Sequence, residues 1–205
     1  MSIDIFLFAS LLGGAAFALS GFLVGVRNEL DLMGVFILAF LTANGGGVLR
    51  DVFIGNTPYA LTDMSGFVVV SITFLLGTIL YKFKYLEVEQ KKLFVLSDTI
   101  GLAAFSLTGA LAAIEANLSI FGVVVLSFLT ATGGGILRDV LVREIPSVFK
   151  SDFYGSIAVL VALAVYTLNV FDMNNDLNII IVFAVSLIIR LIALKMKWHL
   201  PRLKF

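Results

Sequence analysis

The chain has no cysteine, three prolines, one histidine and little charge. Without cysteine there are no disulfides, no thiol catalysis and no thiolate metal sites. The single histidine, His199, lies near the C-terminus. It forms no Ser–His or His–Glu constellation, and the carboxylates are scattered, so neither an enzyme nor a metal or cofactor site is expected. Lys plus Arg and Asp plus Glu number 14 each, for a net charge of zero. That balance gives no electrostatic footprint for nucleic acid. Only 14% of residues are charged, about half the share in a soluble domain. The opening "MSIDIF" has no basic stretch, so a cleaved signal peptide is not expected and the first apolar segment should be retained.

Hydrophobic residues make up 60% of the chain, and mean hydropathy is +1.08. The composition is that of an integral membrane protein. A helix needs about 20 mainly apolar residues to cross the hydrocarbon core. Seven stretches qualify: Ile5–Val26, Leu32–Ile54, Met64–Tyr81, Leu93–Ile114, Leu118–Val142, Phe153–Phe171 and Leu177–Leu194. The expected fold is all-α, a single membrane domain over residues 1–205.

The basic residues orient it. Arg27, Lys82, Lys84, Lys91, Lys92, Arg143, Lys150, Lys195, Lys197, Arg202 and Lys204 all fall on one side of a seven-span arrangement. The positive-inside rule then puts the C-terminus in the cytoplasm and the N-terminus outside. Arg190 is expected to snorkel to the cytoplasmic interface. In the tail "KMKWHLPRLKF", Trp198 suits the interface and the lysines can meet anionic lipid, although ordinary topogenic charge explains them as well.

Two segments repeat. "FLTANGGGVLRDV" (Phe40–Val52) returns 88 residues later as "FLTATGGGILRDV" (Phe128–Val140). Phe17–Pro58 aligns with Phe105–Pro146 without a gap, and 20 of the 42 positions are identical. Residues 1–88 and 89–176 therefore form two three-span copies, and 177–205 carries the seventh span and the tail. An odd number of spans per copy makes the second enter the membrane from the opposite face. This is an inverted-topology repeat, whose sites lie near the midplane where the halves meet.

Three consecutive glycines weaken a helix by about 1 kcal/mol each relative to alanine. Gly45, Gly46, Gly47 and Gly133, Gly134, Gly135 are expected to kink or unwind their spans. Close helix packing is the alternative use of such small residues. The flanking Thr42 and Asn44, matched by Thr130 and Thr132, would line a polar gap. Released glycine carbonyls there would replace part of an ion's hydration shell. Arg50–Asp51 and Arg138–Asp139 follow directly. Charges at membrane depth face a bundle interior or water. Adjacent helical residues do not face each other, so each arginine is expected to find its carboxylate on another helix, with a partner across the repeat as one arrangement. These pairs either fix helix register or line a hydrated path. Asp98, near the start of the fourth span, reads either as path-facing or as an interfacial cap. Ser20 and Thr108 are expected to bond back to their own helices.

Seven spans arranged 3+3+1, with "GGGVLRD" and "GGGILRD" in the second and fifth, resemble the prokaryotic branch of the trimeric intracellular cation (TRIC) channel family. The resemblance covers nearly the whole chain. It implies a homotrimer in the cell (inner) membrane, with lipid as its other partner and bound lipid possible. It further implies one hydrophilic pore per protomer, permeation of a monovalent cation such as potassium, and helix bending at the two glycine triplets. Related bacterial sequences are also described as transporters of glycine or small amino acids. A zwitterion's carboxylate and ammonium would suit the Arg and Asp pairs too. A positive arginine beside a cation pore raises a barrier unless its aspartate neutralises it.

Overall fold

A computed structural model describes residues 3–83, 90–150, 153–196 and 198. Lys84, Lys197, His199, Arg202 and Lys204 lie outside the described residues, so the basic connection and tail are described only in part.

Nine helices are described: α1 (Ile3–Arg27), α2 (Leu32–Phe53), α3 (Tyr59–Thr62), α4 (Ser65–Lys82), α5 (Gln90–Glu115), α6 (Ile120–Leu141), α7 (Ser147–Lys150), α8 (Tyr154–Val170) and α9 (Asp176–Lys195). Six are long and apolar enough to span a membrane, and α8 is a shorter apolar helix of 17 residues. Together they are the seven predicted spans, with every end within three residues of the expected one. The two short helices α3 and α7 were not expected.

The repeat extends into the details of the backbone. α2 and α6 start and end 88 residues apart, as do α3 and α7. Asp31 and its counterpart Ser119 each accept a hydrogen bond from the backbone N–H three residues on, at Gly34 and Gly122. Such caps satisfy amides that a helix start leaves orphaned. The helix ends match as well. Leu30 N–H donates to Gly25 O and Leu118 N–H to Ala113 O, around the left-handed residues Glu29 and Asn117. Both ends are Schellman motifs. α2 and α6 end in the same way, with the left-handed position held by Gly55 in one copy and Arg143 in the other. A side chain there costs about 1–2 kcal/mol against glycine's free access to positive φ. Arg143→Gly is therefore expected to raise thermal stability in detergent by up to about 1 kcal/mol, with part of the gain lost to unfolded-chain entropy.

α1, α2, α5 and α6 form the centre, with α4 against α1 and α2, and α8 against α5 and α6. α5 is the most enclosed span, with 72% of its apolar window buried; α4 is the least, with 11%. α9 packs on α8 and α5, both of the second copy. Ser127 joins three helices, donating to Ser106 O on α5 at 2.8 Å and lying 3.1 Å from Ala158 O on α8. At the centre the two copies meet through Phe17 and its counterpart Phe105, whose ring centroids are 5.3 Å apart.

Candidate functional site: a polar pathway between the repeats

The glycine triplets do not break their helices. α2 and α6 run as continuous α-helix through Gly45–Gly47 and Gly133–Gly135. The expected unwound turn, with released carbonyls, is absent. The glycines instead let the two helices touch. A Cβ on Gly46 would fall on the Thr130 carbonyl oxygen, and one on Gly134 would fall on that of Thr42, both far inside contact distance. The outer glycines receive leucines: a Cβ on Gly45 would meet Leu137 at 2.5 Å, and one on Gly133 would meet Leu49 at 2.6 Å. Close packing repays the lost helix propensity with dispersion contacts and weak backbone interactions.

The flanking polar side chains turn back on their own helices. Thr42 donates to Leu38 O and Thr130 to Leu126 O, both at 2.6 Å. Thr132 donates to Phe128 O at 2.8 Å, and the Asn44 amide to Phe40 O at 3.0 Å. Of these four, Asn44 also lines the large cavity described below.

The arginines correct a second expectation. Each pairs with the aspartate next to it. Arg50 Nε donates to Asp51 Oδ1 at 2.8 Å, and Arg138 Nε donates to Asp139 Oδ1 at 2.8 Å. A long guanidinium can curl round the helix end, and the aspartate is anchored there by a second bond. Asp51 Oδ2 accepts the Tyr59 N–H at 2.8 Å and Asp139 Oδ2 accepts the Ser147 N–H at 2.6 Å, tying each carboxylate to the start of the following short helix. Each guanidinium also lies over a counterpart ring, Arg50 over Phe6 at 5.2 Å and Arg138 over Phe94 at 4.8 Å. These cation–π contacts favour a desolvated charge.

Beyond this shared plan the halves diverge. Arg138 is fully buried. Its Nη1 donates to Asp98 Oδ1 on α5 at 2.6 Å and to the Ser20 hydroxyl on α1. A bond across the repeat therefore exists for one arginine. Asp98 does not cap its helix but is part of this network. Ser20 serves as acceptor rather than bonding back, whereas Thr108 bonds back to Phe105 O as expected. Arg190 does not snorkel: it is buried on α9 with its guanidinium over the Tyr154 ring at 5.0 Å.

Arg50 and Asp51 instead border a cavity of about 1320 Å³. Its floor includes Phe6, Ser10, Asn44 and Gly47; its mouth includes Asn56, Glu115, Asn169 and Asn174. It opens at the end where α2 and α5 finish and α9 begins. At the opposite end, Arg27 and Glu144 form an exposed ion pair at 2.7 Å between the ends of α1 and α6.

Of the predicted residues, Ser20, Asp98, Arg138 and Asp139 form one cluster, while Asn44, Gly47, Arg50 and Asp51 border the cavity. Phe6, Ser10, Gly66, Phe94 and Tyr154 were missed. A signal was available for Phe6 and Phe94, which are identical at the offset of 88; Ser10 and Gly66 differ from their counterparts Asp98 and Tyr154 and carried none.

This is a seven-span helical membrane protein in which two three-helix copies border a large open cavity. The chain belongs to the family described as "Glycine transporter", whose model matches residues 7–84 and 95–169. It is 36% identical over 197 residues to the UPF0126 membrane protein YvgT of Bacillus subtilis, covering 96% of this chain and 95% of that one. Its fold matches a TRIC cation channel solved to explain conductance, with a TM-score of 0.86 and 32% identity, over 100% of this chain and 98% of that one. It likewise matches the TRIC trimeric intracellular cation channel orthologue from Rhodobacter sphaeroides, with a TM-score of 0.85 and 27% identity, over 95% and 99% of the two chains.

Proposed function

We propose that the protein is a passive channel for monovalent cations, chiefly potassium, with one pathway in each protomer of a homotrimer. It sits in the inner membrane with the N-terminus outside and the C-terminus cytoplasmic. The observation that carries this reading is the cavity of about 1320 Å³, which reaches from the loops to Asn44 and Gly47 of one glycine triplet. The match to TRIC cation channels over the whole chain supports it. The arginines do not oppose it. Arg50 is neutralised by Asp51 at 2.8 Å, and Arg138 faces two carboxylates, Asp98 at 2.6 Å and Asp139 at 2.8 Å. Planar-bilayer recording of the purified protein in potassium and then sodium tests the reading: unitary potassium currents are expected. Vesicles with confirmed insertion but no flux above protein-free controls would reject it.

A second reading is a carrier for glycine or a similar small amino acid. The family description supports it, as do Arg50 and Glu115 lining the same cavity. It predicts saturable uptake with competition between amino acids, and no current steps.

Glu115 gives the channel reading a further test. It is exposed at the cavity mouth. Its counterpart Arg27 is paired with Glu144, while the counterpart of Glu144 is the neutral Asn56. The open mouth therefore carries a carboxylate that raises the local cation concentration. Glu115→Gln is expected to lower potassium conductance on the order of a few-fold at low ionic strength. The difference should vanish near 1 M salt, where the Debye length is about 3 Å.

A further inference from the structure

The two halves share a backbone plan but not its filling. Three positions are small in the first copy and large in the second: Ser10 against Asp98, Gly14 against Leu102, and Gly66 against Tyr154. The first three line the cavity. Their counterparts are buried, Leu102 at 0% and Tyr154 at 2% exposure. The contrast is sharpest around the third glycine of each triplet. A Cβ on Gly47 would meet nothing nearer than the Arg50 guanidinium at 3.9 Å, and Gly47 borders the cavity. A Cβ on Gly135 would lie 3.3 Å from the Tyr154 hydroxyl. The space that is cavity beside Gly47 is thus occupied beside Gly135. The occupying ring also lies under the Arg190 guanidinium of α9, a helix outside the repeat that packs on the second copy.

We propose that Tyr154 is the residue that occludes the second half of the pathway, and that it does so by the bulk of its ring. Arg138, Asp98 and Asp139 brace one another behind it. The asymmetry resides in side chains, so rocking one copy against the other does not exchange it: Gly66 has nothing with which to close the first half. A small residue at 154 opens a second vestibule reaching Gly135 and Thr132. The effect on ion flow rests on the channel reading; the occlusion itself does not.

The absence of cysteine permits a direct test in proteoliposomes with a small, water-soluble methanethiosulfonate reagent. Asn44→Cys is expected to label and its counterpart Thr132→Cys to be protected. Adding Tyr154→Gly to Thr132→Cys should produce labelling, whereas Tyr154→Phe, which keeps the ring, should leave it protected. Labelling of Thr132→Cys with Tyr154 in place, or equal labelling with Tyr154→Phe and Tyr154→Gly, would overturn the proposal. So would continued protection in a monodisperse Tyr154→Gly protein. Should that variant fail to fold, Gly66→Tyr on the Asn44→Cys background decides: loss of labelling supports the proposal and unchanged labelling overturns it. Potassium flux is expected to rise in Tyr154→Gly. Labelling gained without flux leaves the occlusion standing and counts against the channel reading.

Discussion

Arg138→Ala is expected to destabilise the folded protein by about 3–5 kcal/mol, the cost of removing one partner from a buried ion pair. Arg138 is 0% exposed and satisfies Asp98 and Asp139 at 2.6 and 2.8 Å. Its loss leaves Asp98 and Asp139 without the guanidinium that bridges them. Arg138→Lys rescues only in part, because an ammonium cannot reproduce the two-sided fork that reaches Asp139 through Nε and Asp98 through Nη1. Arg50→Ala is expected to cost clearly less, at most about 1–2 kcal/mol. Asp51 borders an open cavity, whereas Asp139 is enclosed with Asp98 around one guanidinium. The comparison is made by thermal melting in detergent, read by loss of the monodisperse peak on size exclusion. Equal shifts for the two variants would show that the arginines occupy equivalent environments and that the asymmetry between the halves is wrong.

Gly46→Ala and Gly134→Ala should each prevent normal packing of α2 on α6, at a cost of about 3 kcal/mol or more. Each new methyl would overlap a backbone carbonyl, on Thr130 or Thr42, and backbone cannot rotate away as a side chain can. Gly47→Ala is the control. It lies in the same triplet, yet a Cβ there meets nothing nearer than 3.9 Å, so the substitution should be neutral or gain a few tenths of a kcal/mol from helix propensity. Leucines that end on Gly45 and Gly133 can move, so alanine there should fall between these extremes. Expression and melting of the single-alanine series measure the order. A tolerant Gly46→Ala would mean that the triplet bends its helix instead of packing it.

Three glycines in an apolar span are compatible with a broken helix and with a close helix crossing, and propensity alone favours the break. The crossing is favoured because each triplet meets the other, with Gly46 against Thr130 and Gly134 against Thr42. That compensation involves residues 84 or more positions apart, which no local window contains. The expectation of a carboxylate on another helix holds for Arg138, through Asp98, but the pairing of each arginine with its own neighbour was missed for a related reason. The rule that neighbours on a helix do not face each other holds for short side chains within a helix. Arg50 and Arg138 stand in the last turn, where Asp51 and Asp139 are drawn forward by the amides of Tyr59 and Ser147.

What the sequence by itself determined is the frame. Seven apolar runs, two copies offset by 88 residues and the paired motif set the span count, the repeat and the family. These follow from hydrophobic length and covalent order, which the bilayer and the chain impose locally. Tertiary structure decided which polar groups meet, and where space remains. Arg138 joins Ser20 and Asp98 across three helices, while its counterpart Arg50 borders a cavity. The difference turns on Asp98 against Ser10 and Tyr154 against Gly66, residues at matching positions whose charge and volume matter only once the helices are packed around them.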